Sequence, residues 1–458
     1  MDGKFLYNWK ETNLANLTSF VIGGDWGYAQ EDIIEDTSLA YCIRGNEIKE
    51  WERDKGKTAT IRRIKNSSIE KRKLQKGDIL VEISGGGPDQ PVGRTIYIDE
   101  ESLKNRSGYP TVCTNFFRLV RLCDTINSKY INYYLHYFYL KGGTIKMQGG
   151  SNNLRNLRFK EYLQSSIPLP PLTEQNRIAD KLDTLFGQLN TIQKALERIP
   201  ELIKNFRQQI LTFAVTGKLT EEWRKGKNLT QWKTELASEC CEKVQSGGTP
   251  KGGKFEESGI PFLKVYNIVH TTIDFENEPQ YVSSDIHNSK IKKSISYPGD
   301  VVMNIVGPPL NKVAIIPNTY SEWNINQAIV LFRPKDYLDN RFLYYFFCEG
   351  TPVNRLVNQT RGVVGQINIS LTQCRNFLIH IPPIEEQKEI VRLIDSLFKK
   401  LELVEKQYNA LKAKIEKLPQ ALLSKAFRGE LVDQLPSDGS AENLLKEIEQ
   451  FKRSTKKK

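Results

Sequence analysis

From Ile178 onward, apolar residues recur at alternating steps of four and three: Ile178, Leu182, Leu185, Leu189, Ile192, Leu196, Ile199, Ile203, Phe206 and Ile210. The same spacing returns 212 residues later as Ile390, Ile394, Leu397, Leu401, Val404, Tyr408, Leu411, Ile415, Leu418 and Leu422. Such a stripe predicts a long helix with a heptad seam, the pattern of a left-handed coiled coil. Two stripes in constant register predict that the helices pack on each other. Both have the same ends. PLPPLTEQNRIADKLDTLF (168–186) and IPPIEEQKEIVRLIDSLF (381–398) open with a proline pair and acidic residues, and Gly217 and Gly429 stand where each run should close. About 44 residues lie between these marks, on the order of 66 Å of straight helix. Pro200 and Pro419 fall inside the pattern at non-equivalent places and are expected to kink or restart each helix.

The segments before the helices echo each other more faintly. LYNWKETNLANL compares with LTQWKTELASEC, KGDILVEISGGG with PGDVVMNIVGPP, TNFFRLVR with NQAIVLFR, and YINYYL with FLYYFF. Short β-type runs, turn residues and one aromatic helix predict a mixed α/β globule of about 160 residues, used twice. A register this long excludes stacked small repeats. Related halves in one chain favour a pseudo-twofold arrangement, which makes the helices antiparallel and sets the globules at opposite ends. TQWK follows the end of the first helix, so YNWK should lie near the end of the second. The order of segments is that of a ring of two repeats cut at one junction.

Composition narrows the class. Across 458 residues, Lys and Arg outnumber Asp and Glu by 66 to 54, giving +12 and a pI near 9.1, a balance that favours a polyanionic partner. INYYLHYFYL is too short for a membrane span, and MDGKFLYNWK is no secretory signal. Seven cysteines without a CxxC pair, and four scattered histidines, offer neither a disulfide framework nor a metal site. The expectation is a reduced, cytoplasmic protein. The proline pairs read LPPL, IPPI and GPPL, so the Asn/Asp-Pro-Pro-aromatic element that holds a flipped adenine is missing. GKT at 56–58 lacks the first glycine of a P-loop, since Trp51 occupies it. No Pro-Asp with a nuclease-spaced Glu-x-Lys occurs.

On these residues the chain resembles the specificity subunits of type I restriction-modification systems. The resemblance covers essentially the whole length and rests on PLPPLTEQNRIADKLDTL with GKLTEEWR, on IPPIEEQKEIVRLIDSLF with KAFRGELV, and on AENLLKEIEQ near the end. It implies an α+β fold: two mixed α/β target recognition domains (1–171 and 218–383) related by pseudo-twofold symmetry. Two long antiparallel coiled-coil helices (172–217 and 384–429) join them, and a tail (430–458) follows. Each domain would read one half of a bipartite duplex target. The coil would set the unread spacer and dock two methyltransferase subunits, and ATP-dependent motor-nuclease restriction subunits would join. The resemblance implies no cofactor on this chain; S-adenosylmethionine, ATP and Mg belong to the partner subunits.

Phosphate contacts should come from loop Lys and Arg, and base readout from Arg, Asn, Gln and Lys. The candidates in the first globule are Arg44, Asn46, Ser84, Gly86, Arg94, Lys146, Gln148 and Asn152. In the second they are Tyr266, Asn267, Asn311, Lys312, Arg361 and Gln366. Gly-rich loops also end strands as plain turns, and Tyr133, Tyr134, Tyr137 and Tyr139 suit the buried face of a helix better than a base-stacking platform. Lys452, Arg453, Lys456, Lys457 and Lys458 read as a solvated end. Two other classes stay open at this point: a coiled-coil scaffold holding two protein-binding globules, and an autonomous DNA-modifying enzyme.

Overall fold

The computed structural model describes residues 8–87, 90–104, 108–151, 154–250, 255–359 and 368–455. The chain divides into two compact units, Met1–Ala195 with Leu411–Lys458, and Leu196–Ala410. The division cuts through the long helices instead of falling where each globule meets its helix. The reason is packing: each unit's main core includes helical residues, Ile178, Leu182, Leu423 and Phe427 in unit 1 and Ile203, Ile210, Ile390 and Ile394 in unit 2.

Each unit contains a matching four-stranded sheet and a second sheet built on the same parallel pair, three-stranded in unit 1 and four-stranded in unit 2. In unit 1 an antiparallel sheet runs in the order Thr18–Gly23, Phe117–Leu122, Ile79–Glu82, Thr95–Tyr97. Unit 2 repeats it as Cys241–Ser246, Ile329–Pro334, Val301–Asn304, Val313–Ile315. The second sheet places Thr37–Ile43 parallel to Thr111–Cys113, and its counterpart places Ile260–Leu263 parallel to Trp323–Ile325. A two-stranded ladder closes each globule at its base: Lys10–Asn13 with Ser166–Leu169, and Lys233–Leu236 with Leu378–Ile381. An Arg on the central strand grips a buried Asp in both, Arg121 with Asp78 and Arg333 with Asp300.

The first predicted helix is two. Leu172–Leu196 ends, and Ile199–Val215 begins with Pro200 in its first turn, where the missing N–H has no intrahelical acceptor to lose. The second is one helix, Ile384–Phe427, with Pro419 inside it, so the expected restart there does not occur. Ile415 and Leu423, both buried, flank that proline. Gly217 and Gly429 follow the last turns with φ of 76° and 71°, the left-handed conformation a terminating glycine supplies. Among the seam residues, Ile178, Leu182, Leu189, Leu196, Ile390, Ile394 and Leu401 are buried, and Leu185, Leu397 and Tyr408 partly so. Ile192, Phe206, Val404, Leu411 and Leu418 are not; they are 45%, 48%, 43%, 46% and 40% exposed. A straight helix drifts about 20° per heptad from a 3.5-residue repeat, which carries such positions off the packed side.

The repeated motif has a structural purpose. Glu174 and Glu386 are fully buried, and each accepts a hydrogen bond from a tryptophan indole at 3.0 Å, Trp9 and Trp232 respectively. Gln434 adds a bond to Glu174 in unit 1, and Thr220 and Arg224 engage Glu386 in unit 2. The next residue, also buried, spans two segments. Gln175 donates to Pro170 O and accepts from Asn127 N, capping the approach to the aromatic helix Ser128–Leu140. Gln387 does the same with Pro382 O and Asp339 N before Asn340–Glu349. Two turns on, Asp183 and Asp395 accept from Tyr133 and Tyr345 on those aromatic helices, and Phe186 and Phe398 pack on the same two rings. Tyr134 and Tyr137 pack on Phe427 and Tyr139 donates to Pro91 O, so all four tyrosines face inward.

The expected solvated end is also different. Ala441–Thr455 is a helix whose Ala441, Leu444 and Ile448 are buried in the core of unit 1, and Lys452 donates to Ala15 O at 2.8 Å. Arg453 lies on the same helix and is exposed, as expected; Lys456, Lys457 and Lys458 lie outside the described residues. Before it, Asp438 takes both Nη atoms of Arg177 and the hydroxyl of Thr173. The Arg177 guanidinium holds the Asp438 carboxyl down at about 2, against an ordinary 3.8.

Two predictions follow from these anchors. Gln387→Leu keeps the volume but orphans Asp339 N–H and the Pro382 carbonyl, so it should cost at least about 2 kcal/mol; the check is the urea midpoint of the full chain. A carboxylate whose pKa is lowered on folding stabilises above its unfolded value and loses that contribution as pH falls through the folded one. The Arg177–Asp438 clamp should therefore be whole above about pH 4 and weaken towards pH 2. Pepsin cleavage within 438–455 should rise across that window in the native chain and be high throughout it for Asp438→Asn.

Candidate nucleic-acid interface

Strand ends and the loops that follow them form a rim, and the same five backbone hydrogen bonds build it in each unit. In unit 1 they are Gly24 N to Phe117 O, Asp25 N to Cys113 O, Thr114 N to Ile43 O, Ile83 N to Phe116 O and Leu157 N to Ile83 O. In unit 2 they are Gly247 N to Ile329 O, Gly248 N to Ile325 O, Asn326 N to Leu263 O, Ile305 N to Ala328 O and Ile369 N to Ile305 O. Two glycines make this possible. A Cβ on Gly24 would lie 2.0 Å from Thr114 O, and one on Gly247 2.1 Å from Asn326 O. The loops that leave each rim therefore start from a fixed frame, while their side chains differ almost completely.

In unit 1 the rim gathers Arg44, Asn46, Ser84, Gly86, Arg94 and Gln148. Arg44 caps the turn Gly45–Glu50, on which Asn46 is exposed. Its guanidinium bonds the buried Glu47, which raises its pKa; that hydrogen bond is the leading cause. Ser84 pairs with Asn156, and Gly86 turns back towards Gln90 with φ of 72°. Arg94 grips the buried Glu82 with two parallel bonds. Burial opposes the Arg94 charge, and Glu82 outweighs it, so its pKa is raised. Gln148 accepts from Val92 N at 3.1 Å, and its buried Nε2 has no partner among the described residues. Lys146 is exposed on the neighbouring turn Ile145–Met147. Asn152 lies outside the described residues.

In unit 2, Tyr266 and Lys312 come together beside the turn Val265–Asn267, Lys312 reaching Val265 O with its Nζ at 3.5 Å. Asn267 is a correction. It is fully buried; its Oδ1 accepts from Lys264 N and its Nδ2 donates to Asp274 O and Asn277 O, so its amide is spent inside the turn. Asn311 likewise points inward: in a left-handed conformation (φ 62°) it donates to Phe347 O at 2.9 Å and ties its loop to the aromatic helix. Both were expected to face DNA, because a polar residue in a turn reads the same whether it faces in or out. Arg361 and Gln366 lie outside the described residues.

Sequence reasoning missed part of each rim. In unit 1, Trp26 is 36% exposed with Arg62 stacked 4.2 Å from its ring, and with Asp25, Tyr28, Lys65 and Asn115 it lines an open depression. In unit 2, Thr249 bonds Gln327 across the rim, and Lys264 lies over Phe255 at 4.6 Å. The signal was present: Gly24 and Gly247 each follow a β-type run at matched places. Burial pushes the thiols of Cys42, Cys348 and Cys374 up to about 12, so these are packing residues and not nucleophiles.

The family model for the type I restriction modification DNA specificity domain matches residues 42–201 and again 230–413, and the chain belongs to that family. Among curated proteins it is similar to the type I restriction enzyme EcoKI specificity subunit of Escherichia coli (strain K12), 27% identical over 97% of this chain and 96% of that one. The StySPI specificity subunit of Salmonella potsdam is also 27% identical, over 94% and 91%. Among solved structures, the HsdS subunit from Thermoanaerobacter tengcongensis has a TM-score of 0.63 at 18% identity, covering 94% of this chain and 99% of that one. Among the described residues no helix is long and apolar enough to cross a membrane.

The glycine frame can be tested directly. Gly24→Ala and Gly247→Ala should each destabilise by about 1–3 kcal/mol, since a methyl is forced onto a carbonyl. Gly87→Ala, which meets nothing within 4 Å, should leave the unfolding midpoint in place.

Proposed function

We propose that this chain is the DNA sequence-specificity subunit of a type I restriction-modification complex and is not itself catalytic. The observation that carries the reading is the doubled rim: one backbone frame, repeated bond for bond, presents two unrelated sets of side chains. A catalytic duplication would keep its chemistry; a pair of readers of different half-sites keeps only its frame. Residues 1–171 and 218–383 act as the target recognition domains, each contacting one half of a bipartite duplex.

The helices form an antiparallel coiled coil between pseudo-twofold halves, and this coil sets the unread spacer. Support comes from within unit 2, where Thr220 meets Glu386 and Arg207 meets Glu405, numbers falling along one segment as they rise along the other. Two methyltransferase subunits dock on the helices. Exposed apolar residues on the helical segments favour this: Leu202, Phe206, Leu403 and Val404 in unit 2, and Ile192, Leu411 and Leu418 in unit 1. Apolar surface of that kind on a helix calls for a protein partner. S-adenosylmethionine, ATP and Mg would act on those methyltransferases and on motor-nuclease subunits, and the complex would work in the cytoplasm.

Exchange of residues 1–169 for the equivalent segment of a relative tests the reading. Methylation mapping of a host carrying the hybrid should show one half of the target replaced and the other retained. Simultaneous change of both halves would reject separate readers, and absence of chain-dependent methylation would reject the function.

A further inference from the structure

The two rims put equivalent positions to different electrostatic use. In unit 1 the Arg44 N–H donates to Glu47 at 2.6 Å, and the Arg44 side chain returns to the same carboxylate through Nη2 at 2.6 Å and Nε at 3.2 Å. In unit 2 Lys264 stands at the same cap, and its N–H donates to Asn267 at 3.0 Å. Buried Glu47 is thus replaced by a buried neutral amide. The strand end below the next loop repeats the exchange. Buried Glu82 pairs with Arg94 in unit 1, whereas buried Asn304 in unit 2 holds its loop through Val306 O, Pro309 O and the N–H of Lys312. Among the described residues no carboxylate pairs with Lys264 or Lys312.

Charge decides what each group can receive. A phosphate approaching Arg44 meets the Glu47 carboxylate directly behind the guanidinium, and repulsion cancels much of the attraction. A neutral base edge meets no such opposition; Nε and Nη2 of Arg44 are spent on Glu47 and Thr58 O, which leaves the Nη1 hydrogens to donate to it. The buttress also fixes the plane of the guanidinium before DNA arrives, which favours directional hydrogen bonding to a base. Lys264 and Lys312 have amides beneath them and keep their full charge for a phosphate.

Resting on the reading that each unit contacts one half of a duplex, we infer that Lys264 and Lys312 are phosphate contacts of unit 2 and that Arg44, held by Glu47, is a base-edge reader of unit 1. Arg94 and Glu82 position the loop between them. These equivalent positions therefore serve different physics, counterion release at Lys264 and Lys312 and discrimination between bases at Arg44.

The test uses the full chain assembled with its methyltransferase subunits. Affinity is measured for a labelled duplex carrying the methylation-mapped target and for a scrambled duplex, across roughly 50 to 200 mM salt. Lys264→Gln and Lys312→Gln should each reduce the slope of log affinity against log salt by about 0.9 and weaken both duplexes alike. Arg44→Lys keeps the charge and loses the buttressed Nη1 donor. It should leave the slope unchanged and lower target affinity roughly tenfold without touching the scrambled duplex. Glu47→Gln retains a cap of the kind Asn267 provides, so it should fold even if Arg44→Lys does not. It should steepen the slope by about 0.9 and reduce discrimination, because the freed guanidinium now accepts a phosphate. Unchanged slopes in both lysine variants, or equal weakening of both duplexes by Arg44→Lys, would overturn the assignment. Wild-type complex binding both duplexes equally would overturn the functional reading itself, and this assignment with it.

Discussion

A buried carboxylate followed by a buried amide at the start of each long helix is the constraint on which the rest of the molecule hangs. Glu174-Gln175 and Glu386-Gln387 are fully enclosed, and enclosure is tolerable only because every polar atom finds a partner. Those partners are far apart in sequence: an indole from the segment entering the globule, a backbone N–H at the head of the aromatic helix, and carbonyls at the helix start itself. One dipeptide thereby fixes where the helix begins, where the globule's first strand enters and how the aromatic helix lies against both. Removing any partner leaves a desolvated group behind, so the arrangement resists drift while the surrounding sequence changes freely.

That rigidity at the base permits variety at the rim. Position by position, the frame is held by main-chain bonds that any residue can make, with glycine demanded only where the chain crosses a carbonyl. The loops are then secured locally by whatever the unit has available. Glu82 with Arg94 in one unit, and Asn304 with three backbone atoms in the other, accomplish the same task with opposite electrostatic outcomes.

The helices were legible from sequence because the 3,4 stripe is a local periodicity, and the duplication doubled the signal. Their interruption at Glu197 and Arg198 was legible too, in Pro200, but the continuity through Pro419 depends on tertiary packing that no local rule contains. The globules were visible only as weak echoes, since short strands buried on both faces lack a distinctive period. Arg44, Arg94, Tyr266 and Lys312 were singled out because charged and aromatic residues beside turn signals stand out. Asn267 and Asn311 were misread for the same reason, as turn chemistry and surface chemistry use the same residue. Trp26 and Lys264 went unnoticed because the matched glycines Gly24 and Gly247 were read for neither space nor partner. Leu444 and Ile448, four apart on the final helix, were hidden behind a run of lysines.

The way the units are threaded has a consequence for how the protein is made. Unit 2 is contiguous, from Leu196 to Ala410, and can close as soon as it has left the ribosome. Unit 1 is assembled from both ends of the numbering, and its core stays open until Leu423, Phe427, Leu444 and Ile448 arrive. At roughly 5–20 residues per second that wait is on the order of tens of seconds. During it, the apolar faces that begin at Trp9 and Leu14 lack the last helical residues that complete their core. The half synthesised first is the half that matures last, and it is there that a nascent chain would most need a chaperone.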